Sequence, residues 1–265
     1  MIKRGKTASI LVAGFFILLL SPPAPAQDKI DFAVYSDKSG GAYFKDYGVW
    51  PEGVAYLEQM LSRLKYSHNT ISPKDLNGGA DPLSGYRVLL IPGGYAPWYN
   101  KFINATGKGR IRNFIKSGGA YLGICAGAYF AADRVQWINA VYDDESGYSL
   151  DLFDGAATIG GDLNKIADYY AGHWANIPFV LNTDNALLQG YKSAPLTQNF
   201  VYMAGPYFEP DGKAKITVLA TGADNHLPAM VAFGYGSGRV ILMAPHPEIG
   251  GHDDLMRPLL KWLLK

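Results

Sequence analysis

Hydrophobic positions along the chain fall into two recurring patterns. Continuous apolar runs at Ile30–Tyr35, Tyr86–Ile91 and Ala120–Ile124 predict strands buried on both faces. Between them, Pro51 opens a segment in which Val54, Leu57, Met60, Leu61 and Leu64 recur at helical spacing. Tyr66–Ile71 reads as a further strand, and a helix is expected near Lys108–Lys116, ending at Gly118-Gly119. Near the end, Ile216–Ala220, Ala229–Phe233 and Arg239–Ala244 read as strands, with Gly236-Ser237-Gly238 turning between the last two. Asp253–Leu264 reads as a closing amphipathic helix. Strands alternating with helices over the first half predict a parallel sheet covered on both faces, an α/β architecture. The stretch from Asp133 to Asn199 gives no such order; Tyr169, Tyr170, His173 and Trp174 stand there among glycines.

Composition narrows the function. Apolar residues make up 48% of the chain and charged residues 18%, the balance of a globular protein. A formal net charge of +1 argues against a nucleic-acid partner. Lys3, Arg4 and Lys6 precede an uninterrupted apolar run from Ile10 to Leu20 and the sequence Ala24-Pro25-Ala26. That is the layout of a cleaved signal peptide over residues 1–26. As a helix the run rises about 16 Å, roughly half a bilayer's hydrocarbon core, so no stable membrane anchor is expected after cleavage. Residues 27–265 are then expected to form one domain, in the periplasm or secreted. A single cysteine excludes an intramolecular disulfide. A lone thiol in an oxidising compartment is either deeply buried or chemically employed.

The candidate chemistry lies in two segments. Gly123-Ile124-Cys125-Ala126-Gly127-Ala128 joins a buried strand to a helix expected from Ala126, the layout of a nucleophile elbow. The backbone N–H of Ala126 is placed to bind a developing oxyanion. The plainer alternative is a small cysteine in a packing turn. His246-Pro247-Glu248 follows the strand that ends at Ala244, and at the carboxyl edge of a parallel sheet. On an extended segment residues i and i+2 face the same way, so Glu248 can orient His246, and a histidine near a cysteine serves as its base. Other groups are weaker. Asp143-Asp144-Glu145 reads as a solvated acidic loop, and Gly160-Gly161-Asp162 as a turn rather than a phosphate loop. His173, His226 and His252 lack partners at metal-ligand spacing, so no metal is expected. Tyr202–Phe208, a tight turn flanked by aromatics, is a candidate pocket wall.

GICAGA, the preceding Pro92-Gly93-Gly94 and the late APHPE resemble the class I glutamine amidotransferase-like superfamily. Within it, GICAGAYFAA is most similar to the domain at the N-terminus of some biotin–protein ligases. The resemblance implies a flavodoxin-like three-layer sandwich with a mostly parallel central sheet. It implies Cys125 as nucleophile, His246 as base, Glu248 as third member, and Gly93 and Ala126 as oxyanion donors. Gly94, Tyr129 and Tyr207 are the expected pocket residues. Tyr129 stands where glutamine-hydrolysing members carry a glutamine. The function implied is a cysteine-dependent hydrolase or acyl/amido-transferase acting on an amide-like carbonyl of a small or peptide-like substrate, without a cofactor. Two alternatives stay open: an inactive small-molecule-binding module on the same fold, and a sensor that oxidises Cys125 reversibly.

Overall fold

The computed structural model describes residues 28–36, 48–136, 148, 150–159, 175–189, 191, 196–212 and 214–265. The signal-peptide segment, the acidic run 143–145, the glycine turn 160–162 and the aromatic group 169–174 lie outside the described residues. In chain order the described elements begin with β1 (Ile30–Tyr35), α1 (Pro51–Arg63), β2 (His68–Ile71), α2 (Pro73–Asn77) and β3 (Tyr86–Ile91). Next come α3 (Ala96–Phe102), α4 (Ala105–Lys116), β4 (Ala120–Ile124), α5 (Ala126–Ala131), β5 (Ala132–Gln136), β6 (Phe153–Ile159) and β7 (Ala175–Leu181). The chain closes through β8 (Thr197–Tyr202), β9 (Pro206–Pro210), β10 (Thr217–Gly222), β11 (Pro228–Tyr235), β12 (Gly238–Met243) and α6 (Asp253–Leu263).

The central sheet has the order β2-β1-β3-β4-β12-β11-β10-β7-β8. From β2 to β12 all neighbours are parallel, and from β12 to β8 all are antiparallel. The continuous apolar runs become the parallel strands: Val88–Ile91 and Ala120–Ile124 are buried without a break, because layers cover both faces. In α1 the helical repeat turns Val54, Leu57, Met60 and Leu61 into the core, and α6 does the same with Leu255, Met256, Leu259, Leu260 and Leu263. Fold class and these elements follow the sequence pattern, with ends shifted by a few residues. A small second sheet, β5-β6-β9, arises from the stretch that resisted pattern reading. Among the described residues no helix is long and apolar enough to cross a membrane.

The antiparallel wing curls back on the parallel half. Its last strand, β8, ends where Val201 forms an isolated antiparallel bridge with His246, beyond the end of β12. Three chain segments that follow β3, β4 and β12 therefore meet a fourth that follows β8. They approach so closely that side chains are excluded. A Cβ on Gly127 would lie 2.1 Å from the Ile91 carbonyl oxygen, and one on Gly205 would lie 2.0 Å from that of Ala244.

These approaches are between backbones and cannot relax cheaply. Gly127→Ala is expected to lower stability by about 2 kcal/mol or more through overpacking. Gly109→Ala, in open space on α4, is expected to raise it by about 1 kcal/mol through helix propensity. Thermal or denaturant unfolding of the two variants checks both signs.

Candidate functional site

Cys125 sits on the sharp connection from β4 to α5, with φ +51° and ψ −105°. A non-glycine residue there is strained by roughly 1–3 kcal/mol. The surroundings hold it in place. Its N–H donates to Met243 O at 2.8 Å, and its carbonyl accepts from Ala128 N at 3.0 Å and Tyr129 N at 3.1 Å. Tyr121 Oη donates to Gly127 O at 2.7 Å, closing the far side of the elbow.

His246 arrives from the other side of the same edge. Its N–H donates to Val201 O at 2.8 Å, and Ile249 N donates back to His246 O at 3.1 Å. The His246–Glu248 segment is thus a turn and not the extended strand end that the i, i+2 argument assumed. The turn still brings the two side chains together: His246 Nδ1 lies 2.7 Å from Glu248 Oε1. Both side chains are fully buried, at 1% and 0% exposure. A carboxylate only accepts, so the Nδ1 position carries a proton toward Glu248. Among the described residues neither His246 Nε2 nor Glu248 Oε2 has a hydrogen-bond partner.

Gly93 is the point where the groups converge. A Cβ there would lie 2.6 Å from His246 Cε1, 3.4 Å from its Nε2 and 3.6 Å from Cys125 Cβ. The loop is fixed from behind by Tyr99, whose hydroxyl lies 3.1 Å from Pro92 O and 3.0 Å from Gly93 O. Trp50 N donates to Gly93 O at 3.1 Å, and the Trp50 ring meets His246 edge to face at 5.5 Å. Among the described residues the Gly93 and Ala126 N–H groups find no acceptor. Gly94, with φ +154°, leaves 1.9 Å between a would-be Cβ and Gly48 O, so it shapes the loop and offers no side chain to a pocket.

Electrostatics tie the pair to the cysteine. Burial alone pushes the His246 pKa down, but the Glu248 charge, the neighbouring Cys125 and the Glu248 hydrogen bond outweigh it and raise the value from 6.5 to about 10. The sulfur is thus near enough to act on His246 both as a hydrogen-bond partner and by charge, at a separation longer than a fully formed hydrogen bond. Catalytic hydrogen bonds are commonly loose before substrate binds.

The two tyrosines differ from expectation. Tyr129 is 2% exposed and its hydroxyl donates to Ala204 O at 3.0 Å, so it ties down a wall and does not offer that group to a ligand. Tyr207 lies against Tyr202, with ring centroids 6.1 Å apart, and bonds to Asn225. Among the described residues its ring and hydroxyl interactions are with Tyr202 and Asn225, and not with Cys125, His246 or Glu248. Of the Tyr202–Phe208 turn expected as a pocket wall, Met203 is the residue whose carbonyl reaches Cys125 Sγ, at 3.6 Å; sequence reasoning missed Val201, whose carbonyl accepts from His246 N. It also missed Trp50 and Tyr99; the only available signal was aromatic residues flanking a glycine loop. Elsewhere, carboxylate oxygens of Asp133, Asp154 and Asp211 come within 4.8 Å of one another. Arg134 already engages that group, 2.7 Å and 3.0 Å from the two Asp211 oxygens.

The cysteine elbow follows one central parallel strand, β4, and the histidine and glutamate follow its neighbour β12, on an α/β sheet whose fold recurs in solved structures. Two solved structures share the fold. One is PurLQS from Thermotoga maritima, with TM-score 0.57 at 15% identity over 89% of this chain and 99% of that one. The other is a putative ThuA-like protein from Bacteroides uniformis, with TM-score 0.57 at 12% identity over 92% and 95%. The chain belongs to the family described as biotin–protein ligase, N terminal, whose model matches residues 44–257. An uncharacterised protein of Chlamydia muridarum is 52% identical over 108 residues, 40% of this chain. A biotin–protein ligase of Schizosaccharomyces pombe is 28% identical over 177 residues, 63% of this chain. The matches span only 39% and 26% of those two relatives.

Because folding raises His246 from 6.5 to about 10, its protonation favours the folded state. That contribution is complete below about pH 6.5 and is lost as pH rises through about 10. Glu248→Gln removes the charge behind it and is expected to flatten this dependence and cost about 2 kcal/mol near neutrality. Unfolding midpoints across this range check it; wild-type pH dependence in the variant contradicts the pairing.

Proposed function

We propose that this chain is a cysteine-dependent hydrolase or acyl/amido-transferase that attacks an amide-like carbonyl through Cys125, His246 and Glu248. The observation that carries the reading is the buried His246–Glu248 pair at 2.7 Å, whose second nitrogen is unpartnered beside a cysteine on a strained elbow. Burying a histidine and a carboxylate is costly even when they are paired, and buried pairs of this kind cluster at functional sites.

In this reading His246 Nε2 takes the thiol proton, and the sulfur's electron pair forms the bond to the carbonyl carbon. The carbonyl's π electrons move to oxygen, which the Gly93 and Ala126 N–H groups receive. When the oxyanion collapses, the carbon–nitrogen bond breaks and the imidazolium protonates the leaving amine. Water or an acceptor amine then attacks the thioester, with His246 as base. Glu248 holds the ring and offsets its charge throughout. The positive residues and apolar run at the start of the sequence support a site of action outside the cytoplasm.

A binding module without turnover is the second reading, and the burial of Cys125, 6% exposed, favours it. Ammonia or amine release from a panel of primary and secondary amides separates the two. Cys125→Ser is expected to reduce turnover by about a thousandfold or more without loss of folding. Full turnover in that variant overturns the mechanism, and binding without turnover in wild type selects the module.

A further inference from the structure

Around His246 the chain builds an apolar surface that is separate from the main core. Trp50, Val201 and Ile249 pack together, with Tyr56 and Met203 set against them. Distant parts of the chain supply it: Trp50 precedes α1, Tyr56 lies in α1, Val201 in β8, Met203 in the turn after β8, and Ile249 beyond β12. The cluster is fastened to the site. The Trp50 ring meets the His246 ring edge to face at 5.5 Å and lies 6.4 Å from that of Tyr56. Val201 O accepts from His246 N, Ile249 N donates to His246 O, and Met203 O lies 3.6 Å from Cys125 Sγ. Trp50, Val201 and Ile249 are buried, whereas Tyr56 and Met203 stay partly exposed and form the edge open to a ligand. The tyrosine hydroxyls nearby are spent on the backbone: Tyr99 on Pro92 O and Gly93 O, Tyr129 on Ala204 O, and Tyr202 on Gly205 O. A charged group pressed against such a surface loses its water with little in return. An aromatic ring or a branched aliphatic chain gains by its burial there.

Which part of a substrate meets this surface follows from the three groups on the reacting carbon. Its oxygen is received by the Gly93 and Ala126 N–H groups, the carbon joins the sulfur, and the leaving nitrogen must reach His246 for its proton. The apolar surface is built around His246, so it stands beside that nitrogen. We propose that the substrate is a secondary amide whose leaving amine carries an aromatic or branched aliphatic group, seated against Trp50, Tyr56 and Met203. The inference rests on the reading of Cys125 as a nucleophile and deepens it by naming the leaving group. The carbon–nitrogen bond breaks as the acyl group passes to sulfur, its electron pair stays on nitrogen, and the proton from His246 completes the free amine. Tyr56 and Met203 are then the residues that set specificity. A primary amide, which releases ammonia, leaves this surface unused.

The test uses the single cysteine and three alkylating amides: iodoacetamide, N-benzyl iodoacetamide and N-carboxymethyl iodoacetamide. Labelling of Cys125 in the full chain is followed by intact mass, and each rate is divided by that of a free small thiol with the same reagent. The benzyl reagent is expected to label about tenfold faster than iodoacetamide on this scale, as burial of part of one aromatic ring allows. The carboxymethyl reagent is expected to gain nothing. Tyr56→Ala and Met203→Ala, each at the exposed edge of the cluster, are expected to bring the benzyl ratio toward one; two variants guard against a folding defect in either. Equal scaled rates in wild type, a carboxymethyl reagent that labels fastest, a benzyl preference unchanged in both variants, or a Cys125 that reacts with none of the three overturns the proposal. Amine release from N-benzyl amides then separates it from the function itself. A benzyl preference in labelling without amine release leaves the apolar surface standing and selects the binding module. Ammonia release from primary amides, with N-benzyl amides left intact, keeps the enzyme and overturns the proposed leaving group.

Discussion

Backbone crowding at the carboxyl edge of β3, β4 and β12 governs how this molecule is built. A Cβ on Gly93, Gly123, Gly127 or Gly205 would sit 2.6 Å or less from its nearest neighbour. For three of the four that neighbour is a backbone carbonyl; for Gly93 it is the His246 ring. Such contacts leave little freedom for the residues between them. Cys125 is forced into a conformation that alanine or serine would also find strained, and the sheet supplies the rigidity that keeps it there. The Gly93 loop can approach both the sulfur and the imidazole only because it has no side chain.

Burial then gives the polar groups their character. In water a histidine–glutamate pair contributes little. Here both partners are enclosed, and each has one atom without a hydrogen-bond partner among the described residues. The His246 ring lies beside the one cysteine of the chain, and the turn after β8 brings Met203 O to 3.6 Å from that cysteine's sulfur.

Much of this was legible in the sequence because it is local. A glycine-flanked cysteine at the end of a buried strand encodes an elbow in six residues, and a histidine two residues before a glutamate puts the two side chains within reach of each other. The two side chains do meet, but through a turn closed by Ile249 and not along the extended strand end that the spacing assumed. What escaped was non-local. Nothing near Val201–Gly205 signals that β8, the far edge of the sheet, curls back to meet residue 246. Tyr129 was visible as an unusual residue near the nucleophile, but its partner lies 75 positions away. Tyr207 looked like a pocket wall because it sits in the same aromatic cluster, yet its alternation along β9 turns it toward Tyr202 and Asn225. The roles of Cys125, His246 and Glu248 as a working set remain the proposal made from that geometry.

The central claim is that His246 is a strong base whose affinity for a proton depends on Cys125 as well as Glu248. With five histidines in the chain, the His246 ring can be followed by NMR as pH is varied, in wild type and in Cys125→Ser. The account predicts titration far above 6.5, toward about 10, and a clear downward shift when the sulfur is replaced. A His246 that titrates near 6.5, or one that is indifferent to the loss of Cys125, would contradict it.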